Sequence, residues 1–128
     1  MKPDVVVLAH TAVSYLTGFA SEPPLLDRLN ELAGTRATTA ARAILAAFEQ
    51  LRVRRIALAT PYPEAIAAAG ADAVLISGTG LPTAGIVGRL ESELDKPVVT
   101  SQTATLWWAL RTVGIKEPVR GYGRLLTS

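Results

Sequence analysis

The chain has 128 residues, 49% hydrophobic and 19% charged, which fits one folded domain with an apolar core and excludes disordered and low-complexity chains. Lys+Arg 13 against Asp+Glu 11 leaves a formal charge of +2, too weak a field to argue for nucleic acid. Cysteine is absent and histidine occurs once, so disulfides, a cysteine nucleophile and an ordinary zinc set are excluded.

Asp4 to Ala9 (DVVVLA) is a β-branched apolar run, read as a buried strand, and it ends in His10-Thr11. Leu25, Leu29 and Leu32 then recur at helical spacing, and Gly34 stands where that helix should stop. Thr35 to Thr39 is β-rich yet leads straight into the next helical set, Ile44, Phe48 and Leu51, and is read as a short strand. Further strands are Arg55 to Ala59 (RIALA), followed by Thr60-Pro61-Tyr62, and Asp72 to Ser77 (DAVLIS), followed by Gly78-Thr79-Gly80. Ile86, Leu90 and Leu94 mark another helix, Pro97 to Thr100 (PVVT) another strand, and Leu106, Leu110 and Val113 the last helix, with Ser101 as its cap and Gly114 as its stop. Each helical set is expected to pack on the sheet. The alternation predicts an α/β fold with a mostly parallel four- to five-stranded sheet flanked by helices.

A weak internal echo runs through this order. Residues 4–11 (DVVVLAHT) resemble 72–79 (DAVLISGT), and 26–32 (LDRLNEL) resemble 87–94 (VGRLESEL). We read one domain, 1–128, from a duplicated βαβα half, with halves at about 4–52 and 72–114.

Open parallel sheets bind ligands beyond the carboxyl ends of their strands, where helix amino termini present free amides. The strand-end loops read His10-Thr11, Thr60-Pro61-Tyr62, Ser77 to Gly80 and Thr100-Ser101-Gln102. Hydroxyls, an imidazole and glycines there suit a small carboxylate. Thr79, Thr100 and Ser101 are equally suited to ending strands and capping helices. Lone strand-end histidines are more often structural than basic, yet His10 is the one side chain that ordinarily titrates near neutral pH. Tyr62 between two prolines is either a packed aromatic or an aimed hydroxyl. Gly78-Thr-Gly80 begins like a dinucleotide fingerprint, but Thr83 stands where the next glycine is required.

DVVVLAHTAVSYLTG (4–18), RRIALATPYP (54–63), DAVLISGTGLPT (72–83), KPVVTSQTATLWWALR (96–111) and GYGRLL (121–126) together resemble the aspartate/glutamate racemase superfamily. The most similar branch is the maleate cis-trans isomerases and arylmalonate decarboxylases. The resemblance implies flavodoxin-like or Rossmann-like lobes, a small carboxylate held between them, and no cofactor or metal. It assigns oxyanion binding to Thr11, Tyr62 and Thr79, with an amide from Gly80, and places the two family cysteines at His10 and Gly78. Neither thiol is present. Family members also carry a strand and helix before Asp4 and an α/β stretch between Pro63 and Ala69.

The expected function is a minimal or degenerate domain of this family that retains a small-carboxylate pocket, engineered or reconstructed, or a natural paralogue. The alternative is an active cysteine-independent decarboxylase, racemase or isomerase with His10 and Tyr62 as catalytic groups and Thr11, Tyr62, Gly78, Thr79, Gly80 and Ser101 binding substrate. No nucleic acid or membrane partner is expected. With no signal-like or membrane-spanning run, the expected location is cytoplasmic. Adjacent Trp107 and Trp108 cannot both face inward on one helix, and a shortened chain leaves apolar surface uncovered, so a homodimer is expected.

Overall fold

β-Branched runs favour strands because their side chains are stiff and fit a pleated surface. In the computed structural model, which describes residues 2–11, 18–59, 70–78 and 80–128, Val5–Leu8 forms β1. It is followed by α1 (Glu22–Ala33), β2 (Arg36–Thr39), α2 (Ala40–Gln50), β3 (Ile56–Ala59), β4 (Ala73–Ile76), α3 (Val87–Leu94), β5 (Val98–Thr100) and α4 (Ser101–Thr112). Every strand lies inside a run expected to form one, including the short Thr35 to Thr39 segment.

Among the described residues all pairing is parallel, but the strands form two sheets instead of one. β1 pairs with β2 from Val5 opposite Arg36 to Leu8 opposite Thr39, and β4 lies between β3 and β5. The strands that follow Asp4 and Asp72 therefore each run parallel to their own partner. The units on either side are joined by helices: Ala43, Ile44, Ala47 and Phe48 of α2 meet Ala104 and Trp107 of α4, together with Ala73, Leu75, Val99, Leu125 and Leu126. Alanines at this contact let the helices approach closely, and the aromatic rings fill the remaining space. The other face of the three-stranded sheet, Ala57, Val74 and Val98, is covered by Val87 with Leu90 and Leu94 behind it. Cover on both faces explains why β4 is apolar throughout.

Three helical faces differ from expectation. Leu32 is 70% exposed, because the inward stripe of α1 runs through buried Glu22 and half-buried Leu26, Leu29 and Ala33, and Leu32 lies outside it. In α4 the buried side chains are Ser101, Thr103, Ala104 and Trp107, whereas Leu106 and Val113 are exposed; close contact with α2 selects small residues over leucine. In the third case Ile86 falls in a 3-10 turn and is exposed, and Val87 and Glu91 take the buried positions of α3. Trp107 is buried and Trp108 half-buried against the same core, as one inward and one lateral position require.

The helix ends are local chemistry. Thr39 caps α2 by accepting the Arg42 amide, and Gly34 closes α1 at φ 58°. The cap of α4 is Thr100, one residue before the expected Ser101; Thr100 and Thr103 satisfy each other's amides at 3.0 Å. At Gly123, φ is 93° and an added Cβ would lie 2.5 Å from Val87 Cγ1, so the GYGRLL segment needs glycine there to lie on α3 while Leu125 and Leu126 enter the core.

Candidate functional site

Parallel pairing gathers the strand carboxyl ends within each sheet, and α2 and α4 begin at the last residues of β2 and β5. His10 lies exposed just beyond β1, and its imidazole makes no hydrogen bond among the described residues. Thr11 beside it is buried. Tyr62 and Thr79 lie outside the described residues.

The loop after β4 shows its construction directly. Gly78 adopts φ 125°, with nothing within 4 Å of where a Cβ would be, so conformation and not crowding demands glycine. Its amide donates to Ser101 Oγ at 3.2 Å. Ser101 is fully buried; its hydroxyl holds the loop, and the Gly78 amide is engaged by the protein. Gly80 is exposed at the tip. Beyond it, Gln102 Nε2 donates to the Leu81 carbonyl at 2.9 Å, while Gln102 Oε1 accepts from Thr83 N at 3.3 Å and Thr83 Oγ1 at 3.1 Å.

The first unit has a charged counterpart. Glu22, at the start of α1, is buried; it accepts from Thr39 Oγ1 and pairs with Arg42 Nε at 3.0 Å. Buried carboxylates require such partners. A second buried carboxylate, Glu91, accepts the amides of Val98 at 2.9 Å and Arg124 at 2.8 Å. Its echo partner Asn30 accepts the amide of Ala37 at 2.8 Å. Glu22 and Glu91 were not singled out from sequence, and Gln102 and Thr83 were named there without this role; the echo aligns Asn30 with Glu91 and could have marked both as helix-to-strand ties.

At the opposite end of β4, Asp72 accepts the amides of Arg54 and Arg55 and the Arg55 guanidinium. Those amides first, then the guanidinium, hold its carboxyl below the ordinary 3.8. A cavity of about 560 Å³ lies at the strand amino ends, lined by Asp4, Thr35, Arg36 and Thr112 among others, away from the strand-end loops. Among the described residues no three His, Asp or Glu side chains gather as a metal site. No described helix is long and apolar enough to cross a membrane.

A family model for arylmalonate decarboxylase matches residues 2–69 and 64–126. The arylmalonate decarboxylase of Bordetella bronchiseptica is 29% identical over 168 positions, covering 94% of this chain and 70% of the relative. Because 168 exceeds the 128 residues present, the relative carries residues without a counterpart here, and the two family matches meet at 64–69. A crystal structure of arylmalonate decarboxylase superposes with a TM-score of 0.84 at 30% identity, covering 96% of this chain and 73% of that one. A maleate isomerase from Pseudomonas putida S16, solved with maleate, shares the fold at 21% identity with a TM-score of 0.88, covering 98% and 70%.

Proposed function

Because the chain belongs to the arylmalonate decarboxylase family, we propose that it is a minimal member that keeps a small-carboxylate pocket and lacks the thiol chemistry of the family. The observation that carries this reading is the turn at Gly78. A position matched to a family cysteine holds a residue at φ 125°, a conformation that L side chains rarely adopt. The loop is thus shaped around glycine, and reverting one side chain would not restore a nucleophile.

In this reading Thr11, Tyr62 and Thr79 donate to the ligand carboxylate and Gly80 adds its amide, since preorganised donors suit an oxyanion. Gly78 and Ser101 support the loop from below. His10 is exposed and has no orienting partner among the described residues, whereas a general base is normally held by a third group. Phenylmalonate titrated calorimetrically is expected to bind saturably without releasing carbon dioxide. Absence of binding would leave a scaffold without its pocket. Carbon dioxide release abolished by His10→Gln would establish the active, cysteine-independent alternative.

The reading extends to a homodimer. Among the described residues β3 pairs only with β4, leaving one strand edge open, and Ile56 and Leu58 on it are 47% and 48% exposed. β3 also immediately precedes the junction where the two family matches meet. Open apolar edges favour pairing with another chain. Light scattering at micromolar concentration should give twice the 13.5 kDa chain mass; a mass near 13.5 kDa rejects the dimer.

A further inference from the structure

The loop between β4 and α3 is bound at both ends to one turn of α4. Ser101 holds the near end through Gly78 N, and the adjacent Gln102 holds the far end through three hydrogen bonds to Leu81 and Thr83. α4 is itself fixed at that turn by the reciprocal Thr100 and Thr103 bonds and by the burial of Ala104 and Trp107. Gly80 stands exposed between the two anchors. Glycines at 78 and 80 give the segment wide conformational freedom in isolation, and fixing it in one conformation costs backbone entropy. Something must hold the tip in one conformation if its amides are to meet an anion without reorganisation.

We infer that Gln102 is the positioning residue of this loop: its carboxamide fixes Leu81 and Thr83 and thereby preorganises the Gly80 tip at the strand carboxyl ends. The amide group is suited to this in a way its neighbours are not. Its oxygen accepts from Thr83 N and Oγ1 while its nitrogen donates to the Leu81 carbonyl, so one planar group satisfies donors and an acceptor on both sides of Pro82. A proline cannot supply an amide of its own. The loop therefore takes its order from α4. The consequence for ligand affinity rests on the carboxylate pocket proposed above; the consequence for loop order does not.

Gln102→Met keeps side-chain length and removes all three bonds, and Thr83→Val removes one and keeps the rest. In unliganded, 15N-labelled protein, the order parameter at Gly80 should fall from about 0.85 in the parent to below ~0.6 in Gln102→Met, with an intermediate value in Thr83→Val and no change at Leu75. Affinity for phenylmalonate should fall about tenfold in Gln102→Met, and two- to threefold in Thr83→Val. An unchanged Gly80 order parameter in Gln102→Met overturns the inference. Equal loosening at Leu75 also overturns it, because the role is then core packing. If the parent binds no phenylmalonate, the pocket reading fails and the order parameters alone decide whether Gln102 holds the loop. A loosened loop with unchanged affinity separates loop order from the site and rejects positioning of ligand.

Discussion

The first unit, β1-α1-β2-α2, and the second, β4-α3-β5-α4, solve the same problems with different chemistry. Asn30 and Glu91 each tie a helix to the next strand by accepting the amide of Ala37 or Val98, and Thr39 and Thr100 each cap the following helix. Glu91 also takes the Arg124 amide, so the second unit is tied to the C-terminal segment as well. The start of α1 is pinned to α2 by the charged Glu22–Arg42 pair, whereas the loop before α3 is pinned to α4 by the neutral Thr83–Gln102 pair. One architecture therefore tolerates different side chains wherever the backbone group to be satisfied is the same.

The sharpest way to break the comparison is to remove the two ties in parallel. Glu91→Leu leaves two backbone amides without partners inside the protein and should cost about 3–5 kcal/mol in urea unfolding. Asn30→Leu strands only the Ala37 amide, whose bond is part-buried because Asn30 itself is exposed, and should cost about 1 kcal/mol. Equal losses would show that the additional Arg124 bond contributes nothing. Glu22→Leu comes next, at roughly 1–3 kcal/mol, because it strands the Thr39 hydroxyl while Arg42, 42% exposed, can turn to water.

Gly78→Cys tests the proposed reading of the site. Replacing the glycine at φ 125° should destabilise the protein by about 1–3 kcal/mol and yield no decarboxylation of phenylmalonate. A stable, active variant would show that the turn accepts a thiol. The smallest effect concerns acid. The folded carboxyl of Asp72 titrates below 3.8, so its contribution is present above the unfolded value and is lost as pH falls through the lower folded value. Asp72→Asn should flatten that limb of the stability curve below about pH 4 and leave stability unchanged in its slope near neutrality; an unaltered acid limb would mean that the Arg54 and Arg55 amides do not depend on the carboxylate.

Strand spans were legible because apolar runs such as residues 73–76 are buried on both faces, and that signal is local. Helix faces were less so. In α4 the leucine repeat pointed to Leu106, yet the neighbouring Thr103, Ala104 and Trp107 face the core, since periodicity identifies a stripe but not which stripe a partner helix selects. For the proposed site, Gly78, Gly80 and Ser101 were named from the sequence, whereas the bond from the Gly78 amide to Ser101 was not foreseen.

The sequence by itself determined the order of strands and helices, the parallel pairing class and the absence of thiols, because these depend on composition, period and short spacings, and its motifs carried the resemblance to the family. Only the tertiary structure decided that the strands divide into two sheets, that Ser101 takes up the Gly78 amide, and that Glu22, Glu91 and Gln102 act as ties. Those bonds join residues 17 to 33 positions apart, with the exception of Glu91 to Val98 at seven. Whether a distant polar group is satisfied or stranded depends on which backbone groups packing leaves buried, and that is settled only when helices and sheets meet.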